Sequence, residues 1–140
     1  MALAVAAIAV GAGCGGGGSG AAPERPASAA EAAPTGFGLV SPGDAVELAA
    51  TPGVTVIDVR TPEEFAGGHL AGADLLDFYG ATFAADVAAL DPAGTYLVYC
   101  RSGSRSAQAV ALMGQFGIER VYDMAGGILA YSAEGLPLAP

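Results

Sequence analysis

The 140-residue chain has no lysine and no tryptophan, one histidine and two cysteines. Its five cations are all arginine, Arg25, Arg60, Arg101, Arg105 and Arg120, against 14 acidic residues, for a formal net charge of −9. So little positive charge repels polyanions, which excludes nucleic acid and an anionic membrane surface as electrostatic partners. One histidine and two cysteines far apart in sequence cannot assemble a zinc set, so no metal is expected. Cys14 lies in a glycine run and Cys100 ends an apolar run, and nothing in the pattern brings them together as a disulfide. Residues 1–13 are uncharged and apolar or small. They fall short of the roughly twenty apolar residues that a bilayer span requires.

Composition divides the chain into three segments. Residues 1–13 fit the apolar region of an export signal. Val10-Gly11-Ala12-Gly13-Cys14, followed by glycines and Ser19, resembles a bacterial lipoprotein signal. That resemblance implies cleavage before Cys14, lipidation of its sulfur, and anchoring at the outer face of the cell membrane. No basic residue precedes the apolar run, and Gly11 stands where such signals usually carry leucine; a start upstream of Met1 would supply the missing basic residues. Residues 14–36 hold glycine, alanine, proline, serine and glutamate with almost nothing to bury, the composition of a flexible tether. Residues 37–140 suffice for one modest hydrophobic core. A single tethered domain is expected to act as a monomer.

Within that domain, strand and helix signals alternate. An extended piece at 38–40 leads to a helix capped by Ser41 or Asp44, carrying Val46, Leu48 and Ala49 and ended by Pro52-Gly53. Residues 54–59 are a near-continuous apolar run, as in a strand buried on both faces. Thr61, followed by Pro62 and by Glu64 three residues on, carries the signature of a capping box. The pattern then predicts a strand at 73–76, a helix over 82–90 with Phe83, Val87 and Leu90 on one side, and a central strand at 95–100. A helix over 103–116 ended by Gly117, a strand at 121–124 and a helix over 127–133 complete it. Such alternation predicts an α/β fold with a central parallel sheet of about five strands and helices on both faces. Ligands in these sheets bind at the carboxyl ends of strands.

Cys100 falls at such an end. It is followed by Arg101-Ser102-Gly103-Ser104-Arg105-Ser106 and then by a helical pattern through Ala107, Val110, Ala111, Met113, Gly114 and Phe116. A strand turning directly into a helix sets the loop's N–H groups at the positive end of the helix dipole, and successive N–H groups curled around one point form a nest for an anion. A cysteine at its lip is favoured as thiolate. Arg101 and Arg105 add charge in forks that match sulfur or phosphorus oxyanions.

The loop Cys100-Arg101-Ser102-Gly103-Ser104-Arg105 resembles the active-site loop of the rhodanese (thiosulfate sulfurtransferase) family. Val56-Ile57-Asp58-Val59-Arg60, Glu63-Glu64-Phe65, Gly68-His69-Leu70-Ala71-Gly72-Ala73 and Met124-Ala125-Gly126-Gly127 extend the likeness over about residues 37–138. The resemblance implies a single rhodanese-like domain, with Cys100 as the catalytic nucleophile and residues 101–106 as the anion-binding cradle. It also implies transfer of sulfane sulfur from thiosulfate or a similar small anion to a thiol or cyanide acceptor, without a cofactor. Asp58 and Arg60 would support the pocket and take no direct part in the chemistry. His69 would pack and hydrogen-bond. Gly126-Gly127 would allow close backbone approach to the sheet, and Tyr131 would serve in the core or the pocket wall, where the family often has tryptophan. Dual-specificity cell-cycle phosphatases and arsenate reductases of the same architecture carry five residues between cysteine and arginine. Here there are four, which favours sulfur. A carrier or docking module without turnover is the remaining alternative.

Overall fold

The structure, a computed structural model, describes residues 36–140. The signal-like segment, Cys14 and the tether through residue 35 lie outside the described residues. Five strands, β1 (Gly36–Val40), β2 (Val54–Asp58), β3 (Asp74–Leu75), β4 (Thr95–Tyr99) and β5 (Arg120–Met124), form one sheet in the order β1-β5-β4-β2-β3. Every neighbouring pair is parallel. The helices are α1 (Pro42–Ala49), α2 (Pro62–Ala66), α3 (Phe83–Ala88), α4 (Ser104–Gln115) and α5 (Gly127–Ala133). This is the α/β architecture that the alternation predicts.

The sheet is covered on both faces, and for that reason β4 reads as an unbroken apolar run. Tyr96, Val98 and Cys100 join Ile57, Val59 and Val121 under α3 and α4, where Phe83, Val87, Ala109 and Met113 close the layer. Leu97 and Tyr99, pointing the other way, join Val56, Tyr122 and Met124 under Ala45 of α1 and Ile128 and Tyr131 of α5. Each large apolar side chain so enclosed contributes about 1.5–3 kcal/mol. The capping box is present: Thr61 Oγ1 accepts from the Glu64 N–H at 3.3 Å, and Glu64 accepts from the Thr61 N–H at 3.1 Å.

One expectation needs correction, and the face that α4 buries is new. β1 begins at Gly36, ahead of the piece expected at 38–40, because β5 offers partners along its whole length, from Gly36 opposite Arg120 to Val40 opposite Met124. In α4, Ser106, Ala109 and Met113 are the buried positions, while Ala107, Ala111 and Phe116 are exposed. Small residues weigh little in setting a helix's phase. The Cys100 loop sets it instead, by requiring Ser106 to face the sulfur. The Ala107, Val110, Ala111 and Gly114 stripe lines a shallow groove with Phe37 of β1.

The C-terminal end of β2 is fixed by a buried ion pair. Asp58 is 0% and Arg60 4% exposed. Asp58 Oδ1 accepts from the Arg60 N–H and Nε, each at 2.9 Å, and Oδ2 accepts from Nη2 at 2.6 Å. Nη2 also donates to the Gly68 carbonyl at 2.8 Å, tying the strand to the segment that leads into β3. Burial disfavours the Arg60 charge, but Asp58 outweighs it and the guanidinium is held more firmly protonated than usual. Removing one member leaves an uncompensated buried charge. Arg60→Met is therefore expected to lower stability by about 3–5 kcal/mol in chemical denaturation, and pairing it with Asp58→Asn to recover a substantial part of that loss.

Candidate active site

Beyond β4 the chain makes a tight turn whose geometry depends on Gly103. Its φ of +102° lies in the region that favours glycine, and it directs the chain into α4. The turn folds back over Cys100, whose side chain is 1% exposed. The Gly103 N–H donates to Sγ at 3.0 Å, and the Ser106 hydroxyl, itself 3.2 Å from the Gly103 carbonyl, lies 3.6 Å from the sulfur. Burial alone would push the thiol up. The Ser106 N–H and hydroxyl, with the N–H groups of Gly103 and Ser102, outweigh it, and the net shift is downward. The nest thus stabilises a thiolate without a base.

The outer side of the loop rests on α5. The Ile128 N–H donates to the Cys100 carbonyl at 2.9 Å and the Leu129 N–H to the Arg101 carbonyl at 3.1 Å. Gly127 lies so close that a Cβ there would fall 2.5 Å from the Cys100 oxygen and 2.6 Å from the Arg101 carbonyl carbon and oxygen. The expected approach of Gly126-Gly127 to the sheet is therefore an approach to the sulfur-bearing loop just beyond it.

The two loop arginines differ in situation. Arg101 is exposed, and among the described residues its guanidinium has no hydrogen-bond or ion-pair partner. Arg105, expected as a second free cation, forms a bidentate pair with Glu64 of α2, Nη1 to Oε2 at 2.7 Å and Nη2 to Oε1 at 2.9 Å. The Tyr79 ring lies 5.6 Å from the same guanidinium. Ser102 and Ser104 are exposed, whereas Ser106 is wholly buried beside the sulfur. Asp58 and Arg60 hold each other at the neighbouring strand end. His69 stacks on Phe65 with ring centroids 3.7 Å apart, and its Nδ1 lies 3.1 Å from the Phe65 carbonyl. Its backbone exchanges hydrogen bonds with Ala139, so its role is to fasten the C-terminal segment. Tyr131 is buried in the core and donates to the Pro137 carbonyl at 3.1 Å.

Sequence reasoning missed two acids. Glu64 was legible only as a cap, since nothing local announces a partner 41 positions away. Asp123 of β5 was hidden in an apolar strand; its Oδ1 is buried without a hydrogen-bond partner. The Arg105 pair, followed by the other contacts of the carboxylate, holds Glu64 down from 4.5 to about 2. A carboxylate depressed in the folded state stabilises it above the unfolded pKa and loses that contribution as pH falls through the folded one. The wild-type protein is therefore expected to lose stability to urea between about pH 4.5 and 2. Glu64→Gln should start less stable at pH 6 and show a shallower decline over that window.

Comparison with known proteins agrees with this geometry. Residues 41–134 match the rhodanese-like domain family. A sulfurtransferase of Allochromatium vinosum is 37% identical over 91 residues, 65% of this chain and 83% of that protein. The thiosulfate sulfurtransferase GlpE of Pseudomonas putida is 35% identical over 97 residues, 69% of this chain and 86% of its own. The crystal structure of a rhodanese-related protein from Thermoplasma volcanium superposes with a TM-score of 0.63 at 30% identity, covering 71% of this chain and 95% of that one. With Cys100 seated at the end of the central strand inside its ring of N–H donors, the chain belongs to the rhodanese family.

Proposed function

We propose that the protein is a sulfurtransferase that carries sulfane sulfur as a persulfide on Cys100. The observation that carries this reading is the Cys100 sulfur held in a nest of N–H groups that favour its thiolate. The thiolate attacks the outer sulfur of thiosulfate or a similar small anionic donor. The donor's S–S bond breaks and sulfite leaves with the bonding pair. The terminal persulfide sulfur is stabilised by the N–H groups of residues 101–106, which meet developing negative charge without reorganising. Arg101 supplies an unpaired cation at the mouth, and Arg105, braced by Glu64, keeps its remaining N–H groups for the donor's oxygens. A thiol or cyanide then attacks the terminal sulfur, breaks the persulfide bond and restores the thiolate. The cycle needs no cofactor and is ping-pong.

Four residues between Cys100 and Arg105 make a smaller cradle than phosphate or arsenate chemistry uses, which supports sulfur as the transferred atom. Intact-mass measurement of the full chain should show one added sulfur on incubation with thiosulfate, removed by cyanide and absent in Cys100→Ser. A free, alkylatable Cys100 that gains no sulfur from thiosulfate or from polysulfide would sink the reading in favour of a docking module.

The reading extends to location: the protein is exported and held by lipid on Cys14, acting outside the cytoplasm as a monomer on its tether. The support is the Val10 to Cys14 pattern and the tether composition. Expressed from its native gene, the wild-type protein should partition into detergent and Cys14→Ser into the aqueous phase; equal partitioning would refute lipidation.

A further inference from the structure

The two edges of the sheet are built differently. In the order β1-β5-β4-β2-β3 the outer strands are β1 and β3. β3 is two residues long and carries Asp74, and both features blunt an edge. β1 is five residues, Gly-Phe-Gly-Leu-Val, with no charge and no proline. Among the described residues nothing pairs with its outer side. Phe37 is 56% and Leu39 73% exposed. An open, uncharged apolar strand of this kind is a template for another strand.

The ladder to β5 decides which backbone groups are open. The Val40 carbonyl accepts from the Ala125 N–H at 2.8 Å. In a parallel ladder alternate residues turn both N–H and C=O to the same neighbour, so Gly36, Gly38 and Val40 face β5. Phe37 and Leu39 turn theirs to the free edge. Their side chains rise on the α4 side, where the Phe37 ring lies against Gly114 and, with Ala107, Val110 and Ala111, lines the apolar groove. β1 and α4 hold no acidic residue, in a chain of net charge −9. Two like-charged copies therefore meet with least repulsion on this face.

We propose that this face takes a second copy of the chain, with the two β1 strands antiparallel about a two-fold axis through Gly38. Phe37 then stands opposite Leu39 of the partner subunit, and each donates its N–H to the other's carbonyl; symmetry repeats the exchange. Every backbone group open on either edge is matched in this register. Gly38 meets its counterpart at the close, non-hydrogen-bonded position, where no side chain crowds the strands. Phe37 and Leu39, paired across the strands, cover the groove. The nest around Cys100 is complete within one copy, so the pair holds two independent sites and the single chain remains the unit that acts. The inference stands apart from the persulfide reading, and its test uses no sulfur donor.

The test is sedimentation velocity of the full chain across a concentration series, with hydrogen exchange read by mass on the peptide that contains residues 36–40. The wild-type chain is expected to pass from monomer to dimer as concentration rises, and exchange in that peptide to slow in step. Leu39→Lys sets a charge opposite Phe37, twice by symmetry, and is expected to weaken pairing by about tenfold. Leu129→Lys, at an exposed apolar position on α5, should leave pairing unchanged. A chain that stays monomeric to millimolar concentration overturns the proposal. Free exchange would then leave the edge to another protein, and protection at every concentration would assign it to the chain's own N-terminal segment. A dimer that Leu39→Lys leaves intact overturns it equally. Circular dichroism reports folding; should Leu39→Lys not fold, Leu39→Pro removes one outward N–H and gives the same readout.

Discussion

Two backbone hydrogen bonds from α5, to the carbonyls of Cys100 and Arg101, orient everything around the sulfur. In a trans peptide the N–H lies opposite the C=O. Pinning the Cys100 and Arg101 carbonyls outward therefore turns the N–H groups of Arg101 and Ser102 inward, and Ser102 is among the groups that favour the thiolate. Gly127 makes the contact possible, since any side chain there would collide with the Cys100–Arg101 peptide. Gly103 then bends the chain so that its own N–H and the first turn of α4 complete the ring. The nest is thus a product of the last helix as much as of the loop, and α5 is held in turn by Tyr131 and Ile128 in the core.

Around this ring charge is largely compensated in place. Asp58 cancels Arg60, and Glu64 cancels Arg105. In a chain of net charge −9 the local field at the sulfur comes mainly from fixed N–H dipoles, with Arg101 as the unpaired cation among the described residues of the loop. Fixed dipoles do not have to reorganise as charge develops, and inside a buried site they act through a low dielectric. The salt bridges serve a different end: they fasten β2 and α2 to the loops that frame the pocket.

The architecture and the position of Cys100 were legible because they rest on short-range signals. Strand and helix periods alternate, Pro62 and Glu64 mark a capped helix, and an apolar run stops at a cysteine followed by small residues. The site's electrostatics were not legible, because they rest on contacts between distant positions. Glu64 reaches Arg105 from α2, 41 positions away in sequence. The phase of α4 was not legible for a related reason. Alanine and glycine stripe one side of it, but the side that faces the sheet is decided by Ser106, a polar residue buried for the sake of the sulfur.

Enclosure of the sulfur bears on which partners the proposed chemistry admits. Sγ belongs to a side chain 1% exposed, while Arg101, Ser102 and Ser104 on the rim are open to solvent. A donor therefore cannot lie across the site; it must present one small terminal atom to the ring. Sulfane sulfur at the end of an anion meets that demand, with the rest of the anion left at the rim beside Arg101. In the proposed chemistry a tetrahedral oxyanion would have to place its central atom against Sγ, where the Gly103 N–H already lies 3.0 Å from the sulfur. In the proposed chemistry the turn that crowds a larger group against Sγ is also the one whose N–H groups favour the thiolate, so selectivity and reactivity would come from one arrangement of backbone.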